Sequence, residues 1–298
     1  MTYGVVVIVK DAQSTILPML NSAIRAGATV ATVVDTGSTD ATKHKAATRR
    51  KEIELRWFER PFVNFGHNRS EAFALAKGSA DVLLALDADM TVRIDPAFEP
   101  DETVDAYMVE MGTPSFSYRL PLVLRGDQPW VSVGAVHEYT ALANGELGTR
   151  VPTDAVTISH PGANASPEKT RWHVELLEAD LERDPGNPRT VYYLARAYRD
   201  LGQVDRARSM FARRARMGGW EEERWHAQYQ AALLLEPWTD RLDALLAAWE
   251  ARPSRREPLW HAAAGLREHG QPHAADALLA ADTGPCDDIL FVERGLWA

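Results

Sequence analysis

Two acidic residues flank one small residue in Asp87-Ala88-Asp89, directly after the apolar run Val82 to Leu86. Carboxylates at i and i+2 on a turn can both face outward. Their hard oxygens suit a divalent cation that shares its coordination with phosphate. The same pair also reads as a turn or helix cap, because Asp is common after strands. A second acidic turn, Asp35-Thr36-Gly37-Ser38-Thr39-Asp40, ends the run Val30 to Val34. Its small residues let backbone approach a ligand closely. A helix opening there offers free N–H groups to an anion. Asp35 can accept hydrogen bonds from a base or ribose. Ser38, Thr39 and Asp40 read equally as helix caps.

These residues need elements to hold them. Val5 to Val9, Val30 to Val34, Ile53 to Phe58 and Val82 to Leu86 read as short buried strands. Ile16 to Ala26, Thr39 to Arg50 and Asn68 to Lys77 read as the helices between them, with Gly78 as a helix stop. Strands alternating with helices predict a mostly parallel sheet covered on both faces. Ligands of such sheets bind beyond the carboxyl ends of the strands. Asp11, Asp35 and Asp87 fall near such ends, so three carboxylates are expected in one crevice. Farther on, Tyr107 to Met111, Ser117 to Leu124 and Val131 to Leu142 read as strands extending the same domain.

After His160-Pro161-Gly162 the chain reads as almost wholly helical, and it repeats. Gly202 in Arg-Asp-Leu-Gly-Gln and Gly270 in Arg-Glu-His-Gly-Gln lie 270 − 202 = 68 apart, twice 34. Val191, Trp225 and Leu259 are also spaced by 34. Leu194, Ala195, Tyr198, Ala207 and Phe211 take the small and large positions of a tetratricopeptide repeat. Ala262, Ala263, Leu266, Ala275 and Leu279 do so one repeat pair later. The middle unit is degenerate, with Glu236-Pro237 in place of its glycine. The expected architecture is therefore an α/β domain over residues 1–165 and an all-α, repeat-like domain over 166–298.

The 298 residues suit about two domains. Apolar residues at 45% and charged residues at 25% argue against disorder, collagen and coiled coil. A single cysteine, Cys286, excludes an internal disulfide and a multi-cysteine metal site. No apolar run reaches the roughly 20 residues that span a bilayer. No cleavage pattern follows the apolar start, so no signal peptide is expected, and a reducing cytoplasm is the expected compartment. The net charge of −9 argues against coating nucleic acid by charge alone. It leaves room for local basic clusters at Lys43, His44, Lys45, Arg49, Arg50 and Lys51, and at Arg206, Arg208, Arg213, Arg214 and Arg216.

The run 35–40, followed by Leu86-Asp87-Ala88-Asp89, resembles the nucleotide-sugar half of family-2 glycosyltransferases of the GT-A fold. Ile8-Val9-Lys10-Asp11 resembles that family's first strand, where Asn often stands in place of Asp11. Asn68-Arg69 resembles its Arg-Asn segment in reversed order. The likeness covers roughly residues 3 to 165, and several family members carry tetratricopeptide repeats behind the transferase. It implies a UDP-sugar donor bound along Val9, Lys10, Asp11, Asp35, Gly37, Ser38, Asn68, Arg69, Asp87 and Ala88. It implies Mn²⁺ or Mg²⁺ on Asp87, Asp89 and His160, where His160 also reads as a plain loop residue. His137-Glu138 matches a pair on the family's acceptor side. Inverting transfer needs a general base, and Glu138 is the candidate, with Asp127 and Asp154 as rivals, although a Glu in a strand also reads as a solvated face; His137 reads as orienting Glu138 or as touching a donor phosphate. Trp130 and Tyr139 are candidate acceptor contacts; Trp130 beside Pro129 also reads as core.

Arg60-Pro61-Phe62-Val63-Asn64-Phe65-Gly66-His67-Asn68-Arg69 is similar to a segment of the bacteriophage TET-associated transferases, which glycosylate 5-hydroxymethylcytosine in DNA. That implies hydroxymethylated DNA as acceptor, its target base leaving the stack and its phosphates held by the basic clusters. The alternatives are a peptide or cell-surface glycan acceptor bound through the repeats, a non-catalytic repeat scaffold, and a nucleotidyltransferase. The last would need a basic triphosphate loop early in the chain, where only Lys10 stands.

Overall fold

The computed structural model describes residues 1–113, 116–160, 166–281 and 284–293. It divides into two compact units, Met1–Asn164 and Ala165–Ala298. Pro161 and Gly162, where the change in character was expected, lie outside the described residues, as does residue 165 at the expected boundary.

Among the described residues, the first unit runs β1 (Tyr3–Val9), α1 (Ile16–Arg25), β2 (Ala28–Asp35), α2 (Thr42–Ala47), β3 (Glu54–Glu59), α3 (Phe65–Ala76), β4 (Val82–Ala85), β5 (Thr91–Ile94), β6 (Ala106–Thr113), β7 (Phe116–Arg125), β8 (Trp130–Val133), β9 (Tyr139–Leu142), β10 (Arg150–Thr153) and β11 (Val156–Ser159). The main sheet has the order β10-β6-β7-β4-β1-β2-β3. β4, β1, β2 and β3 are parallel, and β7 runs against β4 and β6. Successive residues of β1 serve opposite faces, as the period of a strand requires. Val5, Val7 and Val9 pack with Ile16, Met19 and Leu20 of α1. Val6 packs with Ala72, Phe73 and Ala76 of α3. β1, β2 and β4 are buried on both faces, which is why they read as unbroken apolar runs.

Several local expectations change. α3 begins at Phe65 rather than Asn68, because the Asn64 side chain accepts from His67 N and caps the helix. α2 is shorter than 39–50, since Asp40 holds the Thr42 amide and hydroxyl just before it. The single strand expected over 131–142 is a hairpin: β8 and β9 pair antiparallel about residues 134–138. Gly134 at φ 115° and His137 at φ 55° turn the chain there. β5, β10 and β11 were not foreseen.

The second unit is a run of helices: α4 (Pro167–Arg183), α5 (Pro188–Asp200), α6 (Val204–Ala215), α7 (Glu221–Leu233), α8 (Trp238–Ala251), α9 (Glu257–Glu268) and α10 (Pro272–Leu279). Each packs on its neighbour in sequence. The repeat is visible in the hydrogen bonds. Gln203 N donates to Tyr198 O, and 68 residues later Gln271 N donates to Leu266 O. Both bonds close helix ends at left-handed glycines, Gly202 and Gly270. Tyr192 Oη and His226 Nδ1, 34 residues apart, meet at 2.8 Å between α5 and α7. The fold is thus an α/β unit with a mostly parallel sheet, followed by a helical repeat region.

The expected basic cluster of α6 is not an open cationic face. Arg214 is 1% exposed and donates to Glu223 at 2.7 Å and to the carbonyls of Met217, Gly218 and Trp220. Arg206 pairs with Glu178, Arg208 with Asp205, and Arg213 donates to Pro185 O. These arginines are engaged in holding helices and turns together. Among the described residues no helix is long and apolar enough to cross a membrane.

Candidate active site

The register of the sheet places the acidic turns together. Val9 on β1 pairs with Asp35 on β2, and Val6 pairs with Ala85 on β4. Leu86 N extends that pairing to Val6 O. Asp11, Asp35 and Asp87 therefore leave the carboxyl edge of three adjacent strands.

Asp35 is 5% exposed, and its Oδ1 accepts from Gly37 N at 3.1 Å and Ser38 N at 2.8 Å. Gly37, at φ 103°, makes that tight turn. Asp11 also has a left-handed backbone, with φ 48°. Its Oδ1 accepts from Thr39 N at 2.7 Å, while Ser38 Oγ accepts from Asp11 N at 3.0 Å. Thr36 N and Oγ1 both donate to Val9 O, at 2.9 and 3.0 Å. The two turns form one latched wall. Beside it is a cleft of about 520 Å³, lined by Asp35, Gly37, Ser38, Lys43, Glu59 and Arg60 among others. Lys10 is exposed at the end of β1.

On β4's side, Met90 N bonds Asp87 O and closes a turn over 87–90. β5 starts at Thr91 and pairs antiparallel with β11, Ser159 opposite Thr91. That register carries the next residue, His160, alongside the acidic turn. Asp87, Asp89 and His160 bring ligand atoms within 4.8 Å of one another. His160 Nε2 lies 3.4 Å from Asp89 Oδ2. Two carboxylates and an imidazole, half-buried and convergent, are a fitting donor set for a divalent cation. The sequence singles out these three residues but not the β5–β11 ribbon that brings them together.

A second cluster was not foreseen. Arg69, one turn into α3, donates from Nη2 to Asp87 Oδ1 at 2.8 Å and from Nε to Glu138 Oε1 at 2.9 Å. Burial works against the charged guanidinium, but the charges of Asp87 and Glu138 outweigh it and raise its pKa above the ordinary value. Glu138 reaches Arg69 because the hairpin turn is pinned to the start of α3. Phe65 N donates to Ala135 O, and the Ser70 hydroxyl bonds both Ser132 N and Ser132 O. A Cβ on Gly66 would sit 2.3 Å from Gly134 O, so only glycine allows this approach. His137 is exposed and has a left-handed backbone, a conformation that His shares with Asn and Asp more often than other non-glycine residues do. Tyr139 is 39% exposed.

Three expected site residues are placed elsewhere. Trp130 is 3% exposed and donates from Nε1 to Arg125 O; it is core and presents no face to an acceptor. Asn68 is fully buried, accepting from Val63 N and donating to Pro61 O, so its side chain shapes the 61–63 loop and does not reach a nucleotide. Asp127 pairs with Arg125 and lines a separate cavity of about 760 Å³ beside Thr2 and Asp81, at the amino ends of β1 and β4. The other rival base, Asp154, has a side chain 89% exposed near Arg119.

A mostly parallel α/β sheet flanked by helices is an open α/β fold, and the acidic turn lies at the carboxyl edge where such sheets bind ligands. Within it, residues 4–100 match the model of glycosyl transferase family 2, and residues 174–227 match a tetratricopeptide repeat model. Over residues 4–100, then, the first unit is similar to a family-2 glycosyltransferase domain. Among solved structures, S. aureus TarS 1–349 in complex with UDP-GlcNAc is similar at 16% identity and a TM-score of 0.41, covering 93% of this chain and 90% of that one. A longer S. aureus TarS structure is 18% identical with a TM-score of 0.43, covering 93% of this chain and 55% of that one. MamA from MSR-1 is 17% identical with a TM-score of 0.32, covering 37% of this chain and 63% of that one. No curated protein matches the chain.

Proposed function

We propose that the first unit moves a sugar, with inversion, from a UDP-type donor to an acceptor hydroxyl, assisted by Mn²⁺ or Mg²⁺ on Asp87, Asp89 and His160. The observation that carries this reading is the meeting of those three side chains within 4.8 Å, at the carboxyl edge of the matched domain. When bound, such a cation supplies Lewis-acid charge that stabilises the departing nucleoside diphosphate. The remaining work falls to the chain. Asp35 and Arg69 flank the nucleoside. The backbone of Val9, Gly37, Ser38 and Ala88, with the side chains of Lys10 and Asp11, lines its path. Arg69 grips Glu138 through Oε1, and Oε2 is assigned the acceptor's proton as the hydroxyl oxygen attacks the anomeric carbon. The bond from that carbon to the diphosphate oxygen breaks, and the diphosphate leaves with the electron pair. His137 orients the acceptor side and Tyr139 offers it a ring.

Calorimetric titration of UDP with and without Mn²⁺ tests the site. Binding should strengthen with metal, and Asp89→Ala should remove that dependence. Metal-independent binding counts against the reading.

For the acceptor we propose a hydroxymethylated cytosine in DNA. The likeness of residues 60–69 to the phage transferases supports it, as do Lys43 on the cleft lining and exposed His44, Arg50 and Lys51 nearby in sequence. Incubation with hydroxymethylated and plain duplex, followed by nucleoside mass analysis, should show a hexose-sized gain only on the modified base. No gain with any common donor moves the acceptor to a peptide or glycan.

A further inference from the structure

Residues 60–64 link β3 to α3 at the carboxyl edge of the main sheet. The loop is braced from within. Arg60 N donates to Asp35 O at 2.9 Å, and its guanidinium pairs with Glu71 on α3. Asn68, fully buried, accepts from Val63 N at 2.9 Å and donates to Pro61 O at 3.0 Å. Asn64 is 8% exposed, and its side chain accepts from His67 N at 2.8 Å. The Phe62 and Phe65 rings meet edge to face at 5.5 Å. The outer side of the loop is nevertheless apolar and open. Pro61 is exposed, and Val63 is 41% exposed.

A single exposed valine is ordinary on a protein surface. This one is set apart by where it stands and how firmly it is held. Pro61 lines the donor cleft. Just past the loop, Phe65 N donates to Ala135 O at 3.1 Å, which ties that end to the hairpin turn carrying Glu138. The loop therefore borders both the donor cleft and the turn of the proposed base, beside the path of any acceptor that must reach both. Its tip is also prepared for an apolar surrounding. Pro61 has no N–H, and its carbonyl is taken by Asn68, as is the N–H of Val63. Placing this tip among stacked rings strands none of those main-chain groups. Exposed cations that can hold phosphates lie on α2 and just after it, at His44, Arg50 and Lys51.

We infer that loop 60–64 is a wedge for duplex DNA: Val63 enters the base stack where the target cytosine has left it, and so keeps that cytosine out beside Glu138. The inference rests on the DNA acceptor proposed above. An enzyme that does chemistry on a base takes it out of the stack. Proteins that unstack DNA fill the gap with apolar side chains inserted between base steps. A loop that bends away under load cannot do this, whereas one braced by a buried amide and an ion pair can.

The test gives the full chain one hydroxymethylcytosine oligonucleotide, as duplex and as single strand, with Mn²⁺ and UDP-glucose or UDP-GlcNAc. The unmodified chain should transfer sugar to both. Val63→Ser should lower kcat/KM on the duplex about tenfold, as the loss of two buried methyl groups implies. It should leave the single strand within about twofold, because a single strand has no duplex stack to breach. Val63→Leu restores the apolar volume and should recover the duplex rate. A 2-aminopurine placed beside the target base reports unstacking without turnover. Its fluorescence should rise when the duplex binds the unmodified chain with UDP, and Val63→Ser should suppress that rise. Equal losses on duplex and single strand, or no loss on either, overturn the wedge and leave DNA as the acceptor. Transfer to the single strand alone also overturns it. Transfer to neither form overturns the wedge together with the DNA acceptor, and transfer to a peptide or glycan instead assigns the loop to that partner. If Val63→Ser melts below the unmodified chain, the 2-aminopurine signal of the unmodified chain decides alone, and a flat signal overturns the inference.

Discussion

Arg69 joins the two halves of the candidate site. Its fork holds Asp87, a proposed cation ligand, and Glu138, the proposed base, through two donors of one guanidinium. Glu138→Gln keeps the shape of that contact and removes the proton acceptor. It should leave metal-dependent UDP binding within about twofold and lower kcat by roughly 10²–10⁴; steady-state kinetics beside calorimetry separates the two, and retained turnover rejects Glu138 as base. Arg69→Lys replaces a fork with a single point donor that cannot span both carboxylates. It should lower kcat even though the charge is kept. At this scale the sequence was uneven. Asp87, Asp89 and His160 could be singled out from the sequence because carboxylates and imidazole are cation donors by residue type, and the structure brings the three side chains together. Trp130 and Asn68 were misread because an aromatic or an amide has the same letter whether it meets a ligand or fills a core. The Arg69–Glu138 contact crosses 69 positions of chain and leaves no local trace.

α3 and the β8–β9 hairpin are the elements whose contact builds that pair. Gly66→Ala forces a Cβ against Gly134 O. The hairpin must retreat, at a cost of about 1–3 kcal/mol, and Glu138 retreats with it. Thermal melting should show the loss of stability, and activity should fall further than UDP binding. An alanine variant with wild-type melting and turnover rules out this close packing as the positioning device. Trp130→Ala should cost about 3–5 kcal/mol by opening the core under the same hairpin, measured by urea unfolding; a change confined to acceptor KM would instead return Trp130 to the surface role it was first given. The central strands of the parallel sheet, β1, β2 and β4, are easy to read, since burial on both faces makes them continuous apolar runs. The hairpin was read as one strand because its turn, Gly134 to Glu138, keeps apolar residues at Ala135 and Val136, which pack inward. The β5–β11 ribbon was missed because four-residue strands carry too little pattern to stand out.

For the molecule as a whole, stability should depend on a buried histidine. Burial, reinforced by Arg255, Arg196 and Arg199, pushes His226 down to about 3 from an ordinary 6.5. The folded state keeps it neutral, while the unfolded chain binds a proton below about 6.5. Its contribution is therefore complete above that pH and is lost as pH falls toward 3, by at most about 1.4 kcal/mol per unit. Urea unfolding of the full chain at pH 7 and pH 5 should show this loss, and His226→Gln should flatten it. An unchanged slope in the variant means other groups carry the acid sensitivity.

Sequence alone determined the class of each half. Apolar runs alternating with helical stretches, acids placed just past those runs, and a period of 34 residues are all patterns written along the chain itself. Tertiary structure decided what meets what. It carried His160 to Asp89 through a ribbon register and Glu138 to Arg69 through a glycine contact. Such meetings depend on packing between segments far apart in the chain, and packing is a property of three-dimensional shape that no local spacing encodes.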